Sequence, residues 1–466
     1  MQQIIPRASP SRKALSSFVC QSCRRSLRRF SASPNRRSGG VPPPPPSGYA
    51  HLSSRRLISV AGPDAPRFLH GIITRSVVAE PSTSGGRRFN RTTNADAAAD
   101  AAANSIASTP GFYAAFLNAT GRVLHDVFVY RDTLGLSGGG GAATAAEGEA
   151  FVIEVDADQV DVLAHHIKRY KLRSKLACRV LDAEECAAWQ VWDDSNGSSP
   201  PTPTPQGLET QLSQLQNSIV LPDTRAPGMG TRVLRLGSGS GAGHLDLDLD
   251  LEKSDEAAYR VRRYLLGVAE GQAEIPREQA LPLEANMDVS GGVDFRKGCY
   301  VGQELTIRTR HRGVVRKRIL PCLLYPSSSS PSSSSPSPPP PPPRKLDYSP
   351  WIGGGEEQGE GQVMSAEDVP PNLSIGRDGA KGRSAGTWLR GVGNVGLALC
   401  RLQIMTDVEL PGETAAAPFN PDKDEFVVKW GADEEGGGGQ SVKIKAFVPD
   451  WLRERLNEDK NAGSAH

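Results

Sequence analysis

Lys297-Gly298-Cys299-Tyr300-Val301-Gly302-Gln303-Glu304 is the stretch on which the reading of this chain turns. One cysteine stands between two glycines, with a lysine two residues before it and a glutamate five after. The glycines predict a backbone that bends tightly or runs close to a ligand. Arg296 and Lys297 put positive charge beside the thiol, which favours thiolate, the form that attacks or ligates metal. A buried cysteine in a glycine-rich turn, packing as a small hydrophobe, is the alternative.

Outward from this stretch, further blocks follow in a fixed order. Ile58 to Ala65 precedes Phe68 to Thr74, and Phe112 to Asn118 precedes Gly121 to Val127. Lys168 to Lys175, Asp223-Thr224-Arg225 with Gly228 to Leu234, and Pro282 to Asn286 come next. The octapeptide resembles the hallmark of the YgfZ-type folate-binding proteins, whose mitochondrial members are iron–sulfur cluster assembly factors. That family belongs to the superfamily of the glycine-cleavage aminomethyltransferase (T-protein), and the ordered blocks are similar to it.

The resemblance implies an α+β fold: an aminomethyltransferase-like folate-binding domain followed by a small C-terminal β-barrel. It implies tetrahydrofolate as ligand, with contacts from Asp126, Glu284, Asn286, Gly298, Tyr300, Gly302, Gln303, Glu304 and Arg308. Cys299 is the expected transient ligand of a cluster or metal, or the thiol of a step that regenerates the cluster carrier, with Lys297 tuning it. Gly298 and Gly302 would shape the loop, and Gln303 and Glu304 would anchor it. One cysteine cannot hold a cluster alone, since four protein ligands are normal. A partner must supply the rest, which implies an A-type scaffold protein. The expected clients are 4Fe–4S enzymes such as aconitase and radical enzymes such as lipoate synthase. The enzyme branch of the superfamily has paired aspartates where this chain has His125-Asp126. One acid is replaced, which puts aminomethyl transfer in doubt. A folate-dependent aminomethyl or one-carbon transferase is the competing reading.

At 466 residues the chain has room for two or three domains, yet 49 glycines, 37 prolines and 6% aromatics mean that much of it is not core. A net charge of +2 gives no global argument for nucleic acid or membrane. No apolar run long enough for a membrane-spanning helix is present, so no membrane insertion is expected. Seven cysteines at irregular spacing do not form a disulfide framework, which points to a reducing compartment. Residues 1–40 hold nine Lys/Arg and no acid, and the first acidic residue is Asp64. That is the composition of a mitochondrial transit peptide, and the matrix is the expected location. A basic arm that binds nucleic acid or lipid is the alternative. Cys20 and Cys23 form a lone CxxC inside this segment.

Residues 1–47 therefore read as transit peptide and Pro-rich linker. Residues 48–311 read as the folate-binding domain, with inserts near 78–109, 194–216 and 237–251. Residues 312–455 read as the barrel, interrupted by a disordered Ser/Pro/Gly-rich insert near 326–383, and 456–466 as a flexible tail. Apolar periodicity predicts helices near 65–73, 157–170 and 256–267. A hairpin is predicted across Ala119-Thr120-Gly121, and strands resume at 314–324 and beyond 386. Gly391 to Gly396 matches GxGxxG, but no βαβ unit surrounds it, so a turn between barrel strands is expected. The basic run Arg308 to Arg318 reads either as a solvated strand face or as an electropositive wall for folate's glutamate tail. His165 and His166, adjacent on a helix, cannot chelate one metal and read as surface or interface residues.

Overall fold

The computed structural model describes residues 40–77, 109–138, 149–194, 206–237, 251–327, 342–353, 364–379, 382–410, 419–431 and 439–463. The expected presequence with Cys20 and Cys23 lies outside the described residues, as do the inserts at 78–108, 195–205, 238–250 and 328–341.

Strand β1 (Ser47–His51) opens the described chain, directly after the proline run. Strands β2 (Arg55–Ala61), β3 (Gly111–Leu117), β4 (Val123–Arg131), β5 (Ala150–Asp156) and β6 (Ala177–Val180) form one sheet in the order β3-β4-β5-β2-β6, every pair antiparallel. Helices α1 (Ala65–Ile72) and α2 (Val160–Tyr170) cover one face, with Leu69, Ile72, Leu163 and Ile167 packed on Ile58, Val60, Val127 and Val129. Side chains alternate along a strand. In β4 this sends Val127 and Val129 to the helices and Asp126, Phe128 and Tyr130 to the opposite face.

That opposite face meets a second sheet of β1, β7 (Cys186–Asp193), β8 (Ser218–Pro222), β9 (Thr231–Leu236) and β10 (Glu252–Ser254), ordered β10-β1-β7-β9-β8. Only β1–β10 is parallel in it. Helix α3 (Gln206–Ser213) buries Leu208 and Leu212 against Ala187 and Trp189. Helix α4 (Glu256–Leu266) starts at Asp255, whose carboxylate accepts the Ala258 N–H at 2.8 Å, and ends at Gly267 in the left-handed conformation. The antiparallel pairing makes the class α+β, as the sequence implied.

Helix α5 (Gln303–Arg312) follows the octapeptide and leads into a closed barrel. The barrel comprises β11 (Lys317–Tyr325), β12 (Ser374–Arg377), β13 (Gly386–Val392), β14 (Val395–Arg401), β15 (Phe426–Trp430) and β16 (Gln440–Ala446). It closes by β11–β16 pairing, which leaves no edge strand. Short helix α6 (Leu402–Met405) and terminal helix α7 (Asp450–Gly463) complete the described chain. Among the described residues no helix is long and apolar enough to cross a membrane. The GxGxxG segment is the β13–β14 turn, with Val392 paired to Val395 and Gly393 at φ +60°.

Four expectations need correction. The insert near 326–383 is not wholly unstructured: Ser374–Arg377 is barrel strand β12, Ile375 is buried, and Leu346, Tyr348 and Ile352 pack on the core. Its serines, glycines and prolines masked three short apolar anchors. The insert at 194–216 holds α3, whose two core leucines sit four residues apart among polar residues. The tail is helix α7 through Gly463, with Trp451 and Leu452 buried. The basic run divides: Arg308 to Arg312 lie on helix α5, and Lys317 and Arg318 open strand β11, with Arg318 buried against Asp288.

Candidate functional site

Gly302 sits at φ +80° and caps α5, and a Cβ there would strike the Asn118 carbonyl of the β3–β4 turn. The octapeptide is fastened on both sides of its cysteine. The Val301 N–H donates to the Gly71 carbonyl at 3.1 Å, and the Tyr300 N–H donates to Gln303 Oε1 at 2.9 Å. Lys297 Nζ donates to the carbonyls of His70 (2.5 Å), Ile73 (2.7 Å) and Arg75 (3.2 Å). These lie at and beyond the C-terminal end of α1, where the helix dipole is negative. The same ammonium stands 4.7 Å from the centre of the buried Tyr300 ring. Burial pushes Lys297 down to about 8, against the opposing pull of Asp294. Burial also pushes the Tyr300 phenol up to about 12.

The sequence made Lys297 the cation that tunes the Cys299 thiol. The structure shows its ammonium clamping the loop through three backbone carbonyls. Lys297→Met should therefore destabilise the fold by about 1–3 kcal/mol, because the carbonyls lose a charged donor. Amide hydrogen exchange over residues 296–302 should rise in the variant. Unchanged exchange would remove the clamp.

Between these anchors Cys299 faces solvent. It is the exposed cysteine among the described residues; Cys186, Cys322 and Cys400 are buried and Cys178 is partly so. No group of three or more His, Cys, Asp or Glu positioned to hold a metal occurs among the described residues.

The remaining expected contacts fall into separate environments. Gly298 lies exposed in the loop, and Glu304 and Arg308 are exposed on α5. Glu284 pairs with Lys317 at 3.2 Å and lines a cleft of about 270 Å³ at the seam between α5 and the barrel. Asn286 is buried at φ +59° and ties to β11: its amide donates to the Ile319 carbonyl at 2.7 Å, and its Oδ1 accepts from Arg318 at 3.1 Å. It is a structural tether.

Asp126 is fully buried between the two sheets. The Gly271 N–H donates to its carboxylate at 3.1 Å and Gln272 Nε2 at 3.3 Å, with Arg55 Nη1 at 3.6 Å. Burial raises its pKa, against the pull of Arg55. Alternation along β4 sends His125 to the helix-covered face, and the Gln272 side chain reaches both residues at the strand's end. Burial, helped by Arg277, holds its imidazole neutral, down to about 3.

Around Asp126 lies a buried charge network that sequence reasoning missed. Arg55 Nε donates to Glu154 at 2.8 Å, and Arg232 reaches Glu270 at 2.6 Å. Arg225 bridges Asp223 (2.7 Å) and Glu270 (2.8 Å), and Arg263 pairs with Glu274 at 2.7 Å. Tyr130, Tyr259 and Tyr264 donate to Glu154, Glu270 and Glu274. A signal existed: Glu154 interrupts the apolar strand Phe151 to Val155, and Arg232 interrupts β9. Charges inside apolar strands are buried and partnered.

Residues 316–454 match the family model described as CAF17, C-terminal beta-barrel domain. The chain is 48% identical to a protein of Pyricularia oryzae named iron–sulfur cluster assembly factor IBA57 homolog, mitochondrial, over 95% of this chain and 93% of that one. Homologues of the same name in Chaetomium globosum and Neurospora crassa are 47% and 43% identical, over 94% and 98% of this chain and 93% of each relative. The glycine cleavage system aminomethyltransferase T of Bartonella henselae has a similar fold, with a TM-score of 0.50 at 11% identity, covering 88% of this chain and 87% of that one. The ordered sequence blocks, the paired sheets with their closed barrel and the full-length similarity agree: this chain belongs to the IBA57 family of mitochondrial iron–sulfur cluster assembly factors.

Proposed function

We propose that the chain acts in the mitochondrial matrix in building or transferring 4Fe–4S clusters, with Cys299 as a transient ligand or thiol at the point of transfer. The observation that carries this is the exposure of Cys299 on a loop clamped from both sides. A rigid loop presents its thiol at a fixed place, and a partner can then supply the other ligands. The partner is an A-type scaffold protein, and the clients are 4Fe–4S enzymes such as aconitase and lipoate synthase. Replacing Cys299 by serine is the direct test, read as aconitase activity in cells carrying the variant.

Residues 1–40 are the import address, on their acid-free, Arg-rich composition. Fused to a fluorescent reporter they direct it to the matrix; a cytosolic signal would remove the claim.

Tetrahydrofolate is the proposed ligand, with Asp126 among its contacts. The side chains there fit the mixed donor–acceptor edge of a pterin. Gln272 Nε2 donates to Asp126 at 3.3 Å, and Arg232 Nε is a buried donor without a partner. Tyr113 and Phe128 lie nearby, their ring centres 5.3 Å apart, with the Arg225 guanidinium over both rings. Bound folate supplies a one-carbon acceptor. Asp126 and Gln272 would orient its ring. His125, neutral and turned to the other face, cannot stand in for the second carboxylate of the transferase reading. Titration calorimetry should show heat with tetrahydrofolate for the wild type and a Kd at least about tenfold weaker for Asp126→Asn. No heat with the wild type would remove the ligand.

A further inference from the structure

Three large apolar side chains stand exposed among the described residues, and all belong to α2 or the turn after it: Val162 (41%), Tyr170 (40%) and Leu172 (84%). Val162, His166 and Tyr170 recur every four residues, so they form one ridge, and His166 stacks on Tyr170 at 4.3 Å. Leu172 follows in the turn after α2, in a left-handed backbone, φ +44°. Such a conformation is strained for leucine and persists only where the surroundings impose it; it clusters at functional sites.

An open groove of about 1070 Å³ runs between this turn and α1, lined by Arg67, Phe68, Gly71, Tyr170, Leu172 and Arg173 among others. Gly71 lies in the last turn of α1, and a Cβ there would meet no atom within 4 Å. Glycine weakens a helix, and the described fold gives no steric reason for it here. Close approach by the backbone of another chain would.

Cations outnumber acids here: Arg67, Lys171 and Arg173 line the groove with one acid, Asp64, whose carboxylate accepts the Lys175 N–H at 2.6 Å. From His165 to Lys175 the chain carries Lys168, Arg169, Lys171, Arg173 and Lys175 and no acid. None of the five forms a salt bridge with another described residue; Lys171 donates to the Leu176 carbonyl. The groove is also rigidly joined to the octapeptide. Gly71, on its floor, accepts the Val301 N–H, and Lys297 grips the carbonyl of His70 next to it.

The geometry points to this groove as the docking face for the cluster-bearing protein partner, one that offers carboxylates around an apolar socket for Leu172. A concave groove bordered by cations, with a single apolar knob at its rim, fits an acidic polypeptide segment; a bilayer would call for a broad apolar face. Docking here sets the partner beside Cys299, because groove and loop share α1. The inference rests on the proposed assembly role and adds to it the face that binds.

The test uses the full chain and a recombinant A-type scaffold loaded with its cluster, titrated anaerobically by calorimetry at low and high salt. Leu172→Gly removes the apolar knob and relieves the backbone, and Gly71→Leu fills the groove from open space. Both variants should melt at or above the wild-type temperature. Each should weaken scaffold binding by about tenfold or more, the loss of a central hot spot. Wild-type binding should weaken with salt. Wild-type affinity in both groove variants overturns the face and leaves the assembly role standing. No wild-type heat overturns the face together with the A-type partner. Binding to phosphatidylglycerol vesicles that Leu172→Gly abolishes overturns the protein partner in favour of a lipid surface.

Discussion

Cys299→Ser should abolish support of 4Fe–4S enzymes while leaving the fold intact. Serine is close to cysteine in size and polarity, but it offers no thiolate at neutral pH and is a poor ligand for iron. The side chain is exposed, so its replacement should change stability by no more than about 0.5 kcal/mol. The buried alternative, in which the hydroxyl would cost stability, conflicts with that exposure. Aconitase activity in cells carrying only the variant should fall to the level of cells that lack the chain. A thermal melt of the purified protein should match the wild type. Full aconitase activity would take Cys299 out of the mechanism and leave the site unassigned.

Glu270→Gln should be the most damaging conservative change in the fold. Burial alone would raise the pKa of this carboxyl. The guanidiniums of Arg232, Arg225, Arg55 and Arg263 outweigh that effect and hold it well below the usual carboxylate range. The amide keeps the shape and leaves those cations facing each other without their central anion. Breaking a buried pair on one side costs about 3–5 kcal/mol. Arg232→Met added to Glu270→Gln should recover part of the loss, since the charges then leave together. The pH dependence has a definite sign. A depressed carboxyl contributes stability that is fully present above its unfolded pKa, about 4.3, and lost as pH falls through the folded value. Wild type and variant should therefore differ most near neutral pH and converge as pH drops below about 4. Urea unfolding at pH 7 and pH 3.5 measures this. An equal gap at both pH values would show that Glu270 does not anchor the network.

Local signals carried well where one physical cause dominates. Helix α4 was legible because Asp255 and Gly267 stop it at both ends and its apolar spacing is helical. The β3–β4 hairpin was legible from its apolar runs and the glycine between them. Helix α3 was not, because Leu208 and Leu212 are two apolar residues among serines and glutamines, and Trp189 across the sheet is what gives them a core. Strand β12 was hidden for the same reason: four residues with one apolar anchor, Ile375, become a strand only when β13 and β15 offer partners on both edges.

The sequence by itself determined the α+β class, the barrel at the C-terminal end, and the octapeptide as the place to look. The class and the barrel follow from strand and helix periodicity together with the family resemblance, and it is the resemblance that singles out the octapeptide. Tertiary structure decided what the charges do. Lys297 and Cys299 are two residues apart in the chain, yet one is turned onto the end of α1 and the other into solvent. His125 and Asp126 are neighbours that face opposite sides of β4. Arg55, Arg225, Arg232 and Glu270 are scattered over more than 200 residues and meet in one buried network. A charge is assigned its role by whatever shares its dielectric surroundings, and only the packed fold brings those groups together.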